Sequence, residues 1–204
     1  MISSRTKLVA LAAIGLLLSG VAIWAVSRPA SSGPDAGYEG SLMPPNVPLA
    51  NFSLKDEAGK PISLKDLKGG PSMVTFLYTD CKDVCPITAQ QIRGAMDTVG
   101  QDVPVVAITA DPANDSPEKV KNWLALQHLQ GRMRWGLGTK SQVESTWQAW
   151  GVAGQTSKSD HSAYVFVLDR DGKRCVSWPT SHLTPEGLTH DLKLLISRGG
   201  ACRP

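Results

Sequence analysis

"MVTFLYTDCKDVCPITAQQIRGAMDTVG", residues 73–100, decides the fold. It opens on a short apolar run, MVTFLY (73–78), of the kind that fills a buried strand. Further on, Ile92, Ala95, Met96 and Val99 fall at i, i+3, i+4 and i+7, which predicts the buried face of a helix. Gly100 supplies its stop. Between strand and helix stand Cys81 and Cys85, with Pro86 directly after the second. Proline favours the first helical position, so Cys85 is expected as the N-cap of a helix over 86–99 and Cys81 on the loop before it. The face of Ile92 and Val99, carried back seven residues, passes through Cys85. Its sulfur is therefore expected at the edge of the core, beside free helix N–H groups. Those groups, the helix dipole and Lys82 favour a thiolate while Asp80 and Asp83 oppose it, and the expected net shift of the Cys85 thiol is downward.

The same alternation continues outward. VPVVAIT (103–109) reads as a second buried strand. Ser116, Pro117 and Glu118 open a helix in cap order, with Val120, Trp123 and Leu124 facing inward. Residues 140–150 form another helix, and AYVFVLD (163–169) another strand. Arg170-Asp171-Gly172 then turns the chain into KRCVSW (173–178), and a last helix covers 184–197. This order predicts an α/β sandwich around a mixed sheet. Trp123, Trp147, Trp150 and Trp178 read as packing residues.

The N-terminal part reads differently. Arg5 and Lys7 precede the uncharged stretch 8–26, LVALAAIGLLLSGVAIWAV. As a helix it would reach about 28 Å, near the thickness of a bilayer's hydrocarbon layer. Residues 1–7 read as a cytoplasmic n-region and 8–26 as a transmembrane anchor, with a cleaved signal peptide as the alternative. Residues 27–46, rich in Pro, Gly and Ser, read as a flexible linker. A single domain over 47–198 and a tail over 199–204 follow. The basic residues inside place the exported domain on the periplasmic side of the cytoplasmic membrane, where disulfides persist. Of 21 Lys and Arg, three (Arg5, Lys7 and Arg28) precede residue 29, which leaves 18 against 18 acids. A chain so balanced lacks the basic footprint of nucleic-acid binding.

Two cysteines at this spacing could be a structural disulfide, a redox couple or part of a metal site. A bridge placed only for stability gains little from closing a loop of about four residues. A structural zinc site needs four N or S ligands, and no second close Cys or His pair stands nearby. Two thiolates with one imidazole suit copper and leave positions open for exchange.

FLYTDCKDVCP (76–86) resembles the active stretch of the Sco/SenC family of copper-handling, thioredoxin-like proteins that assist cytochrome c oxidase assembly. FSLKDEAGKPISLKDLKGG (52–70), ITADPANDSPEKVKNWL (108–124) and SDHSAYVFVLDRDGK (159–173) resemble its first hairpin, its DP segment and its histidine segment, in that order. The resemblance implies a thioredoxin-like fold and a metal site of Cys81, Cys85 and His161 holding one copper ion, Cu(I) or Cu(II). It also implies a metallochaperone rather than an enzyme, whose partner is the cytochrome c oxidase subunit carrying the CuA centre. Other copper chaperones and thioredoxin-like reductants are further partners. The rival reading is a thiol–disulfide oxidoreductase that reduces target cysteines without carrying metal. Lys82 departs from the family, which usually has proline there. A peroxidase reading is weaker: Cys85-Pro86 resembles a peroxiredoxin's active cysteine, but Lys82 stands where threonine is expected. Four cysteines allow three pairings. The expected ones are Cys81–Cys85 as the redox bridge and Cys175–Cys202 as a structural staple. Asp160 is either a partner that orients His161 or a solvated acid, Asp111 shapes a turn, and His128, His182 and His190 receive no role.

Overall fold

The computed structural model describes residues 37–153 and 164–203. The expected n-region, the anchor over 8–26 and the linker to residue 36 lie outside them, as do Asp160 and His161. Among the described residues no helix is long and apolar enough to cross a membrane.

In chain order the elements are β1 (Ser41–Leu42), β2 (Ser53–Lys55), β3 (Pro61–Ser63), β4 (Ser72–Leu77), α1 (Val84–Thr98), β5 (Val105–Thr109) and α2 (Pro117–Leu126). After them come β6 (Met133–Gly136), α3 (Lys140–Trp150), β7 (Tyr164–Leu168), β8 (Arg174–Pro179) and α4 (Pro185–Ser197). Six strands form one mixed sheet in the order β1-β8-β7-β4-β5-β6. β4, β5 and β6 run parallel, whereas β7 is antiparallel to β4, and β8 to β7. The α/β sandwich with a mixed sheet is thus as expected.

Alternation along the strands sorts the core into two layers. Met73 and Leu77 of β4 join Ile92 and Ala95 of α1, Val120 and Trp123 of α2, and Leu188, Leu192 and Leu195 of α4 on one face. Val74 and Phe76 join Val143 and Trp150 of α3, with Phe52, Leu54 and Ile62 of the β2–β3 hairpin, on the other. The hairpin is tied down by Asp56, whose carboxylate meets the Arg134 guanidinium of β6 at 2.9 Å. Burial pushes the Asp56 carboxyl up, but that guanidinium and the Lys60 and Ala58 N–H groups outweigh it and hold the group below its usual range.

Two expectations need correction, and one strand is additional. α1 begins at Val84 with Asp83 as its N-cap, so Cys85 lies inside the first turn and does not cap it. Proline needs no N–H partner anywhere in that turn, and Pro86 stands two positions later than the first-position rule implied. β6 was not foreseen; MRWG is short, and its Met133 and Trp135 alternate with polar or small residues. Finally, residues 37–46 are not a free linker. β1 pairs with β8, and the Glu39 and Gly40 N–H groups donate to the fully buried Asp191 carboxylate at 2.7 and 3.0 Å. A Cβ at Gly40 would lie 2.5 Å from the Trp178 indole nitrogen, so only glycine allows this approach. Backbone pairing of this kind leaves no periodicity in a Gly/Ser/Pro-rich sequence.

Candidate metal centre

β4 ends where β5 also ends, at one edge of the parallel strands, and the cysteine loop leaves from that edge. The loop is pinned from the β5–α2 connection. The Asp115 carboxylate accepts from the Thr79 N–H (2.9 Å) and the Thr79 hydroxyl (2.6 Å), and from the Thr109 hydroxyl. Lys119 of α2 adds an ion pair to Asp80 at 3.3 Å. Both sides of that pair are about half exposed, so it contributes little.

Cys81 and Cys85 are unbridged and both buried. The Cys85 N–H donates to Cys81 Sγ at 3.3 Å. This solves the capping of α1, because the Asp83 side chain makes no cap hydrogen bond and Pro86 has no N–H to offer. A cysteine sulfur stands in for the usual Ser, Thr or Asp oxygen, and the helix start holds both sulfurs in one place.

The expected downward shift of the Cys85 thiol is overturned. Burial pushes it up, and the Cys81 thiol and the Asp115 carboxylate add to the rise. The helix start closes over Cys85, which has no exposed surface, and desolvation outweighs the dipole. Cys81 keeps 6% exposure and lines an open groove. With iodoacetamide near neutral pH, Cys81 should therefore be modified first, and Cys85 more slowly by about tenfold or more. Peptide mass mapping of partly alkylated protein checks this, and preferential labelling of Cys85 would contradict it.

Asp115, not the sequence-marked Asp111, is the acid that pins the cysteine loop. Asp111 shapes the turn as expected: its carboxylate accepts from the Asn114 amide at 2.8 Å and its carbonyl from the Asp115 N–H at 3.0 Å. The available signal for Asp115 was its place just before the N-cap Ser116, at the carboxyl end of a parallel strand, where sites in such sheets gather. Burial pushes the Asp115 carboxyl up, against the opposing threonine hydrogen bonds. A carboxyl raised in the folded state stabilises the fold fully below the unfolded pKa, and that contribution is lost as pH rises through the folded value. Wild type minus Asp115→Asn unfolding free energy should therefore fall across that window, starting near pH 4. Urea unfolding at several pH values checks the sign; a difference that grows with pH would contradict it.

The third expected ligand, His161, lies outside the described residues, and none of the described residues form a cluster of three His, Cys, Asp or Glu able to hold a metal. The strand after it can be placed. Val165 pairs with Thr75 and the Thr75 hydroxyl donates to the Tyr164 carbonyl at 3.0 Å, so β7 enters the sheet at the end of β4 from which the cysteine loop leaves.

Comparison with known proteins settles the lineage. The sequence profile described as SCO1/SenC matches residues 44–197. The chain belongs to the SCO1/SenC family. Protein sco1 of Schizosaccharomyces pombe is 28% identical over 136 residues, which cover 60% of this chain and 51% of that protein. The chain thus spans about half the length of that relative. ScoI of Bradyrhizobium japonicum, solved with copper bound, is 30% identical with a TM-score of 0.61, over 70% of this chain and 96% of that one. BsSco, described as having a disulfide switch and as a member of the Sco family of cytochrome c oxidase assembly proteins, shares the fold at 23% identity. Its TM-score is 0.63, over 74% of this chain and 95% of that one. The α/β architecture is therefore the thioredoxin-like fold of the Sco proteins.

The other two cysteines lie apart from the pair. Cys175 of β8 is joined to Cys202 by a 2.08 Å disulfide. Among the histidines, His190 Nδ1 lies 3.2 Å from the Asp191 carboxylate on α4. His128 adopts a left-handed φ of 56° just beyond α2.

Proposed function

We propose that this chain is a membrane-anchored copper chaperone that holds one copper ion on Cys81, Cys85 and His161 and delivers it to the CuA centre of cytochrome c oxidase during assembly. One observation carries the reading. The chain keeps Cys81 and Cys85 unbridged side by side at the start of α1, while its other two cysteines are bridged. Two soft sulfurs with an imidazole suit copper and leave it exchangeable. The copper-bound ScoI relative supports the choice of metal. The register of β7 supports His161 as the third ligand, because the chain enters that strand beside the cysteine loop. Each thiol must lose its proton as copper enters, so the raised Cys85 thiol makes affinity climb with pH. Release would follow ligand exchange, or oxidation of the pair to a disulfide.

The second reading, a thiol–disulfide oxidoreductase acting on the CuA-site cysteines, draws on the same pair and on the disulfide switch described for BsSco. His161 separates the two: a pure reductant keeps its exchange rate in His161→Ala, whereas a carrier loses copper affinity. In this reading the stretch 8–26 is a single-pass anchor in the cytoplasmic membrane and the domain lies on the periplasmic side. Anaerobic titration of the purified chain with copper(I) tests the proposal. One ion bound per chain, lost on oxidation of the pair, is expected, and no copper-dependent signal would refute it.

A further inference from the structure

Beside Cys81 the surface has an unusual composition. An open groove of about 370 Å3 runs between the first turn of α1 and the outer side of α2. Cys81, Lys82, Pro86, Lys119, Trp123 and Leu126 line it, whereas Cys85 does not. Leu126 is 75% exposed and Ile87, next to Pro86, is 52% exposed. These are two of the three large apolar side chains exposed among the described residues. The inward face of α2 is complete without Leu126, since Val120, Trp123 and Leu124 already fill the core. Leu126 in the same groove as the Cys81 sulfur, with the exposed Ile87 following the lining residue Pro86, gives the pattern of a contact surface. The rim carries two lysines and one acid: Lys119 is paired with Asp80, which also lines the groove, and Lys82 makes no ion pair among the described residues, so one positive charge is left over.

We propose that this groove seats a cysteine-bearing segment of the protein with which Cys81 exchanges copper or disulfide, a segment that places apolar side chains on Trp123 and Leu126 and an acidic one against Lys82. The proposal rests on the reading of the cysteine pair given above. The occupant follows from the chemistry at the floor of the groove. Among the described residues, the sulfur reached from it is that of Cys81, and both soft-metal hand-over and disulfide exchange need an incoming thiol. An apolar floor selects apolar neighbours of that thiol, and the unpaired Lys82 ammonium on the rim selects an acid beside it. A groove of this size makes a brief contact, which suits a donor that must let go. Lys82 then sets the charge preferred in the partner segment.

The test uses the full chain as Cys85→Ser, so that exchange stops at the first bond. Three probes carry the same thionitrobenzoate mixed disulfide: a peptide with Leu and Glu beside its cysteine, one with Ser and Lys there, and mercaptoethanol. The deprotonated Cys81 sulfur attacks the probe sulfur, the Cys81–probe S–S bond forms, and thionitrobenzoate leaves with the electron pair. The Leu/Glu peptide should react about tenfold faster than the Ser/Lys peptide, the factor one partly buried leucine commonly gives. Leu126→Ser should abolish most of that advantage and leave the mercaptoethanol probe unchanged, and Lys82→Glu should reverse the charge preference. Equal peptide rates, or an advantage that survives Leu126→Ser, would overturn the docking surface while leaving the cysteine pair intact. If the mercaptoethanol probe itself fails to react at Cys81, the reading of the pair falls, and the docking surface with it.

Discussion

Replacing either Cys81 or Cys85 by serine should weaken copper(I) binding by roughly a hundredfold to a thousandfold. Structural zinc sites with four ligands gather about 10–16 kcal/mol, or about 3 kcal/mol per ligand, and each 1.4 kcal/mol is tenfold. Copper(I) on two sulfurs and an imidazole has fewer ligands to share the load, so the loss per ligand is no smaller. The two variants should differ in stability. Cys85→Ser puts a hydroxyl into a fully buried site of the first core layer, whereas Cys81→Ser exchanges one acceptor of the Cys85 N–H for another. Competition titration against a copper(I) chelator gives the affinities. A loss under about tenfold in both variants would remove the sulfurs from the site.

Removal of the other cysteine pair should cost stability and spare copper. Cys175 and Cys202 are 27 residues apart in sequence. Closing a loop of that length constrains the unfolded chain by about 3–4 kcal/mol. For a domain of this size that lowers Tm by on the order of 10 °C. The bridge also supports the N-terminal segment: the Met43 N–H donates to the Cys175 carbonyl at 2.8 Å, and the Tyr38 hydroxyl to the Cys202 carbonyl at 3.1 Å. Cys202→Ser should show the fall in calorimetry with copper(I) affinity unchanged, and a reductant should lower the wild-type Tm but not that of the variant. A Tm within about 2 °C of wild type would show that the tail holds without its bridge.

The parts of the fold legible in the sequence were those with a period. Ile92, Ala95 and Val99 marked the inner face of α1, and Val120, Trp123 and Leu124 that of α2, because burial on one side of a helix must recur with its turn. β4, β5 and β7 showed as apolar runs because both their faces are covered. Where burial rests on backbone pairing or on a polar partner, the sequence carries no such mark. β1 among glycines and serines, β6 as a four-residue edge and the buried Asp191 all fall in that class. The site divides the same way. Spacing brought Cys81 and Cys85 to one helix start. The direction of the Cys85 shift depends on complete burial, which a one-dimensional pattern reports poorly. Asp115 acts through two threonines from separate strand ends, a convergence visible only in three dimensions.

The convergence of Cys81, Cys85 and His161 on one ion is tested most directly by X-ray absorption spectroscopy of the copper(I)-loaded chain, beside its His161→Ala variant. The expected spectrum has two sulfur scatterers and one imidazole per copper, and the variant keeps the sulfurs while losing the imidazole. A spectrum without two sulfurs, or one that His161→Ala leaves unchanged, would contradict the three-ligand site.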